Sequence, residues 1–304
     1  MKAPFPWFGG KSRAADMIWS RFGDVPNYVE PFAGSLAVLL ARPHEPKTET
    51  VNDLDCYLSN FWRCVALKPE ETAAAANWPV NECDLVARHR WLLEQTDFRD
   101  KMRMDAHYCD PQIAGWWVWG LCSWIGSGWC VQKKKLPEQI PHLGNAGRGI
   151  NRKLPHLGDT GRGDAIAAYF GELSSRLRNV RVACGNWDCI LGESVTVKHG
   201  TTAVLLDPPY DSAEHSVSYS ADSDVSASVR DWAINNGNNP LLRIALCGYE
   251  GEHKMPINWE CVAWKAAGGY GSQSDGIGRE NSNRERIWFS PACIKVSKQQ
   301  EFFV

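Results

Sequence analysis

The segment PNYVEPFAGSLAVLLARP (Pro26–Pro43) decides the fold class. It begins as a short apolar strand, passes through a turn of small residues and continues into an apolar helix. The next segment, TETVNDLD (Thr48–Asp55), is a second strand that ends in acids. A strand, a helix and a strand in this order open an α/β sheet. We therefore predict an α/β protein.

The same rhythm returns in the second half of the chain. Mainly apolar strands, typical of a sheet covered on both faces, are predicted in VRVACGNW, TTAVLLDPPY, LLRIALCGY, WECVAWKAAG and RERIWFSP, with a helix in SASVRDWAINN. Between the two halves lie a helical region, a cluster of tryptophans and a glycine-rich repeat. The sequence thus predicts one sheet domain, residues 1–60 plus 165–304, interrupted by an inserted region at residues 61–164.

Composition excludes several classes of protein. The chain has 304 residues, of which 44% are hydrophobic, so it can bury a full core. It lacks a long apolar run and its N-terminus lacks the apolar centre of a signal peptide, so we expect a cytoplasmic protein without a membrane anchor. The eleven cysteines contain no C-x-x-C pair, which argues against zinc and other metals. We interpret Cys56, Cys64, Cys184 and Cys247 as reduced core residues.

Charge is concentrated in one segment, although the net charge is only -2. The segment contains PHLGNAGRG (141–149) and its near repeat PHLGDTGRG (155–163), and it follows five tryptophans at positions 116, 117, 119, 124 and 129. Neither repeat ends in the G-K-[ST] of a phosphate loop. A local excess of positive charge favours contact with a polyanion such as DNA. The basic residues are Lys133, Lys134, Lys135, Arg148, Arg152, Lys153 and Arg162.

The loops after the strands are where ligands bind in such sheets. The most informative of them is DPPY (Asp207–Tyr210). Two prolines fix its backbone, so the Asp207 carboxylate and the Pro208 carbonyl form a rigid pair of acceptors beside the Tyr210 ring. Such a pair suits a planar amino group. The alternative interpretation is a proline turn capped by an aspartate.

Four segments in this order, WFGGK (7–11), EPFAGS (30–35), NDLD (52–55) and DPPY, resemble the Dam-like N6-adenine DNA methyltransferases of bacteria and phages. The resemblance implies a Rossmann-like methyltransferase fold, mostly parallel with helices on both faces, and a target-recognition region as the insertion. It also implies S-adenosylmethionine as cofactor and double-stranded DNA as substrate, with a cognate restriction enzyme as one conceivable protein partner. Ser35 and Leu36 depart from the family, which often has further glycines there.

The resemblance also assigns roles to residues. Asp207, Pro208 and Tyr210 would be catalytic, acting on an adenine flipped out of the duplex. Lys11 would lie near the methionyl carboxylate, and Asp53 would accept from the ribose hydroxyls. Asn186 and Trp187 are the nearest match to the pair that contacts the adenine of the cofactor. The implied cofactor-binding set is Trp7, Gly10, Lys11, Glu30, Phe32, Gly34, Asp53, Asn186, Trp187 and Asp207.

Other functions remain open at this point. An N4-cytosine DNA methyltransferase or an RNA adenine methyltransferase would act on the same kind of exocyclic amine. A DNA-binding protein on a non-catalytic methyltransferase fold would keep the same insertion. A nicotinamide-dependent oxidoreductase is disfavoured, because no G-x-G-x-x-G follows the first strand.

Overall fold

A computed structural model describes residues 1–7, 9–125, 128–130, 149–150, 164–209, 222–265 and 283–296. Its strands are β1 (Asn27–Glu30), β2 (Thr48–Asn52), β3 (Trp124–Ile125), β4 (Gly149–Ile150), β5 (Val180–Ala183), β6 (Thr202–Leu206), β7 (Leu242–Tyr249), β8 (Glu260–Ala263) and β9 (Glu285–Phe289). Within the described residues, seven of them form one sheet in the order β5-β2-β1-β6-β7-β9-β8. The first five are parallel, and β9 is antiparallel to both β7 and β8.

Helices separate several of these strands. The helices are α1 (Ala15–Phe22), α2 (Ala37–Leu40), α3 (Cys56–Leu67), α4 (Pro69–Ala76), α5 (Glu82–Leu93), α6 (Phe98–Met104), α7 (Pro111–Ser123), α8 (Asp164–Leu177) and α9 (Asp222–Asn236). Five of them, α3 to α7, follow one another between β2 and β3. The predicted α/β class and every strand predicted for the sheet are confirmed. No helix of the described ranges has the length and apolar character needed to cross a bilayer.

The central strands are buried on both faces, which explains why their sequence does not alternate. In β6, Ala203 and Leu205 belong to the larger apolar cluster, together with residues of α1, α2, α3 and α8. Val204 and Leu206 point the other way, into a cluster that contains residues of α9. Alternate side chains of a strand face opposite sides of a sheet. An apolar run such as TAVLL is therefore required wherever helices cover both sides.

The tryptophan-rich helix α7 belongs to the larger cluster. Trp117, Trp119 and Trp129 are buried, whereas Trp116 and Trp124 are partly exposed. Gly115 lets α7 approach α4 closely, because a Cβ atom there would come within 2.8 Å of the Ala75 backbone. The described helices of residues 61–123 thus pack in one continuous core with the sheet. The boundaries of the inserted region remain a prediction.

A buried ion pair network joins α8 to strand β2 of the sheet. The side chain of Glu49 on β2 is 1% exposed and accepts from Arg42 Nη1 at 3.0 Å. It also accepts from both terminal nitrogens of Arg176, at 2.6 and 3.0 Å. A buried carboxylate between two guanidinium groups is stable only while all partners are present.

Replacement of this carboxylate tests its contribution to the fold. Glu49→Ala leaves two buried guanidinium groups without their partner, so we expect the free energy of unfolding in urea to fall by about 3–5 kcal/mol. The control is Asp231→Ala, which removes the exposed pair with Arg230 and should change the stability by less than about 1 kcal/mol. Equal losses in the free energy of unfolding of the two variants would contradict the larger contribution assigned to the buried network.

Candidate active site

The order of the strands brings four loops to one edge of the sheet. From β1 the chain moves outward to β2, and β6 then lies on the opposite side of β1. The sheet therefore changes direction between β1 and β6, and ligands bind at such a switch point, beyond the carboxyl ends of the strands. EPFAGS follows β1 and DPPY follows β6, while NDLD ends β2 and CGNW (184–187) follows β5.

A buried lysine from the first loop of the chain lies against DPPY. Lys11 is 3% exposed, and its Nζ is 2.8 Å from Asp207 Oδ1 and donates to the Gly9 carbonyl at 2.8 Å. Burial is the largest effect and opposes the ammonium form, but the charge and hydrogen bond of Asp207, together with the charges of Cys247 and Glu285, outweigh it and raise the pKa of Lys11. Its observed partner among the described residues is thus Asp207, which is 21% exposed. An anion of the substrate or cofactor would have to share this ammonium group.

Trp264 is a contact of Lys11 that sequence reasoning missed. Its ring centroid is 5.6 Å from Lys11 Nζ, within the range of a cation–π interaction. Trp264 comes directly after β8, and its backbone N–H donates to the Glu285 carbonyl of β9 at 3.3 Å. A tryptophan in an apolar strand reads as core from sequence alone, so only the pairing of β8 with β9 reveals this position.

A second carboxyl group lies at the end of β1. Glu30 is buried, and its Oε2 accepts from the Tyr28 hydroxyl at 2.9 Å. Burial raises the pKa of Glu30 well above its ordinary value, and the charge of Asp207 acts in the same direction, although the bond from Tyr28 opposes it. Burial thus makes the ionised form of Glu30 less favourable than it is in water.

Gly34 shapes the loop after β1. Its φ is +46°, and a Cβ atom at this position would lie 2.8 Å from Nε1 of Trp7. Its carbonyl accepts from Trp62 Nε1 at 3.0 Å, and its N–H donates to Asp53 Oδ2 at 3.1 Å. Trp7 also packs edge-on against Phe5, and the Gly10 N–H closes the first loop onto the Trp7 carbonyl. The predicted residues of the first, second and third loops are thus in contact.

Leu36 explains the departure from the glycine pattern. Its φ is +53°, a left-handed conformation that favours glycine. The side chain of Leu36 is fully buried. Left-handed backbone costs a leucine about 1–2 kcal/mol, and removing a buried leucine side chain costs about 2–5 kcal/mol. The burial term is the larger, which explains why a leucine can occupy this left-handed position.

Asp53 is held by the backbone on both oxygens. Oδ1 accepts from the N–H of Asp55 at 2.9 Å, and Oδ2 accepts from that of Gly34. Burial, followed by the nearby charge of Asp55, raises the pKa of Asp53 to about 7. The preceding Asn52, which sequence reasoning did not select, donates to the carbonyls of Pro31 and Gly185 at 3.1 and 3.0 Å. These bonds fix the loops after β1 and β5 to the end of β2.

Two aromatic rings form one wall of the crevice. Phe32, after β1, and Trp187, after β5, have centroids 6.4 Å apart and planes 19° from parallel. Asn186 is exposed, and its Oδ1 accepts from the Trp187 N–H at 3.0 Å, which caps the short 3-10 turn Trp187–Ile190. The side chain of Asn186 thus orients Trp187.

Some predicted residues lie outside the described part of the chain. They are Tyr210 of DPPY and the basic set Lys133, Lys134, Lys135, Arg148, Arg152, Lys153 and Arg162. Their roles remain predictions. Pro208, by contrast, is described and buried directly after Asp207.

Two further features of the described residues, their metal-ligating side chains and one open pocket, bear on the location of the site. They contain no group of three or more His, Cys, Asp or Glu side chains placed to hold a metal ion. An open pocket of about 580 Å³ lies in the helical region, between the start of α4 and the start of α7, and its lining includes Lys68, Asp110 and Trp116. None of its lining residues belongs to the loops at the switch point, where the sequence predicts the active site.

The strand order, with helices on both faces of a mostly parallel sheet, is that of a Rossmann-like methyltransferase fold. Over residues 7–111 the chain matches the family described as D12 class N6 adenine-specific DNA methyltransferase. The resemblance inferred from WFGGK, EPFAGS and NDLD is confirmed over this stretch, which is about a third of the chain. A search of curated proteins finds no match to the chain.

A pair of glycine substitutions tests the contact between the first two loops. Gly34→Ala places a methyl group against Trp7 in a backbone conformation that disfavours it, so we expect a loss of about 1–3 kcal/mol in the free energy of unfolding. Gly171→Ala is the matched control, because it lies within α8 with open space around its Cβ position. It should instead stabilise the protein by about 0.5–1 kcal/mol. Changes of the same sign in urea denaturation would contradict the packing described for Gly34.

Proposed function

We propose that the protein transfers a methyl group from S-adenosylmethionine to the N6 amine of adenine in double-stranded DNA. The observation that carries the proposal is the position of Asp207, which lies at the switch point of the sheet, paired with a buried lysine and followed by a buried proline. Both acceptors expected for an exocyclic amine, the Asp207 carboxylate and the Pro208 carbonyl, thus stand on a rigid turn.

The described residues fit the cofactor. The parallel rings of Phe32 and Trp187 suit a purine, and the Asp53 carboxylate suits the ribose hydroxyls. Gly34, Gly10 and Trp7 form the surface on which the cofactor would lie, and a Cβ atom on Gly34 would clash there with the Trp7 ring. Glu30 would lie at the base of this surface. When bound, S-adenosylmethionine would supply an electrophilic methyl group. We assign Lys11 as the ion-pair partner of Asp207 rather than of the methionyl carboxylate, because its ammonium nitrogen lies 2.8 Å from the aspartate oxygen.

The residues of the turn act on the amine of the substrate. Asp207 and the Pro208 carbonyl accept its two hydrogens, which draws the nitrogen lone pair out of conjugation and orients it for attack. Lys11 stabilises the negative charge of Asp207 and fixes its position, so positioning and electrostatics supply most of the rate. The Asp207 carboxylate is also the nearest acceptor for the proton that the amine loses after transfer.

Access to the amine requires the base to leave the duplex. The amino group is out of reach inside the stack, and extrusion costs a few kcal/mol. Tyr210 would stack on the extruded ring, an interaction of about 1–3 kcal/mol. We assign recognition of the target site to residues 61–164, where the basic segment at residues 131–163 would contact DNA. Adenine in DNA is preferred over cytosine or RNA because it is the substrate of the matched family.

Replacement of the catalytic carboxylate tests the reaction. We expect Asp207→Ala to retain less than roughly 1% of the rate of tritiated methyl transfer to unmethylated DNA, since loss of one such polar group commonly costs a factor of about 10²–10³. Its affinity for S-adenosylmethionine should stay within a fewfold of the parent. Asp231→Ala, an exposed change on α9, is the control and should keep full activity. An Asp207→Ala variant as active as this control would refute the assignment.

The raised pKa of Asp53 predicts a pH dependence of cofactor binding. If the ionised carboxylate accepts from the ribose, protonation below a pKa of about 7 weakens binding and deprotonation above it strengthens binding. The dissociation constant should therefore fall about tenfold between pH 6 and pH 8, following the ionised fraction. Calorimetric titration at these two pH values measures it. Asp53→Asn should bind weakly at both, and a variant that keeps the tenfold change would show that another group is responsible.

A further inference from the structure

Two cysteines from different parts of the chain lie sulfur to sulfur beside the proposed cofactor site. The Cys184 thiol donates to Cys56 Sγ at a sulfur–sulfur distance of 3.6 Å. Cys56 is the buried first residue of α3, and Cys184 follows β5 and is half-buried, in contrast to its interpretation as a core residue. All eleven cysteines lie in the described part of the chain and are free.

The parallel pairing of β2 with β5 creates this contact. Asn52 and Ala183, the last residues of the two strands, are register partners. The chain continues from Ala183 directly into Cys184 and from Asn52 through NDLD into Cys56. The Ser59 hydroxyl, one turn along α3, donates to the Asp53 carbonyl at 3.0 Å and lies 3.4 Å from that of Ala183. The two thiols are therefore held together by the sheet.

The surroundings of the pair favour a thiolate. The hydrogen bond from Cys184 is the largest cause that lowers the pKa of Cys56 to about 7, and the charges of Arg103 and Arg99 add to it against the effect of burial. Position at the N-terminus of a helix acts in the same direction. A thiolate with a second sulfur in contact is the arrangement from which disulfides form.

We infer that Cys56 and Cys184 are an oxidation site, at which hydrogen peroxide forms a disulfide. In the first step one sulfur attacks a peroxide oxygen, the O–O bond breaks, and a sulfenic acid and water are formed. In the second step the other sulfur attacks the sulfenic sulfur and the S–O bond breaks, releasing a second water. The two thiols lose two electrons and two protons, and the peroxide is reduced to two waters.

The disulfide would change the geometry of the site. A disulfide bond is about 2.05 Å long, so the sulfurs must approach by roughly 1.5 Å from their present separation. This movement draws the start of α3 and the end of β5 together, and the loops next to these two ends carry Asp53 and Trp187. A misplacement of about 1 Å can cost a hundredfold in rate. Oxidation should therefore slow methyl transfer, a consequence that rests on the proposed function, whereas formation of the disulfide does not.

Peptide mapping of the full-length protein tests the site directly. The protein is treated with hydrogen peroxide, free thiols are alkylated, and mass spectrometry identifies linked peptides. We expect a peptide pair joined through Cys56 and Cys184 that is lost after treatment with dithiothreitol. The Cys184→Ser variant should lack it, while Cys261→Ser, which changes an exposed cysteine on β8, should retain it. Absence of the link from the parent protein, with other cysteines oxidised, would overturn the proposal.

A rate measurement tests the consequence separately. Peroxide should lower the rate of methyl transfer at least roughly tenfold, with recovery in dithiothreitol, in the parent protein and in Cys261→Ser. Cys184→Ser should be protected. A parent protein that forms the link but keeps its rate would show that the disulfide does not control the site. If the reduced protein transfers no methyl group at all, the proposed function fails and the mapped link still stands.

Discussion

The ion pair between Lys11 and Asp207 is the interaction on which the site depends. A buried ammonium group is stable only beside a charged partner, and Lys11 is almost completely buried. Its loop must therefore cross the carboxyl edge of the sheet to reach the turn after β6. This requirement links the first residues of the chain to the turn that begins with Asp207. It also gives WFGGK a role that a glycine-rich turn near a terminus would not need.

The placement of β1 beside β6 adds a second carboxyl group to this environment. Glu30 ends β1 and Asp207 follows β6. Lys11 pairs with Asp207. The structure separates the two acids by their surroundings. Glu30 has the Tyr28 hydroxyl as partner and a pKa raised by burial, whereas Asp207 has the ammonium group and some exposure to solvent. Pairs of acids whose environments differ in this way can take different roles at one pH. Of the two carboxyl groups, Asp207 is thus the one that pairs with the ammonium group.

Local features of the sequence were sufficient to predict the strands of the sheet and to select the loops that lie at its switch point. Apolar runs that end in Gly, Pro or Asp locate the strands, and the two prolines of DPPY fix a turn whatever surrounds it. Contacts that depend on strand order were not predictable. Trp264 reaches Lys11 because β8 pairs with β9, Asn52 links two loops because β2 lies between β1 and β5, and Cys184 meets Cys56 for the same reason. Leu36 adopts a conformation that its own sequence does not favour.

The antiparallel strands at the edge of the sheet belong to the site for a physical reason. The family match ends at residue 111, yet Lys11 within it is covered by Trp264 and lies in the field of Glu285, a buried carboxyl group on β9. Without these groups the ammonium group would face solvent on one side, and its pairing with Asp207 would be screened. The hairpin-like pair of β8 and β9 lowers the local dielectric around the ion pair. Parallel strands alone would place Asp207 at the same position, but its ion pair with Lys11 would be more exposed to solvent and therefore weaker.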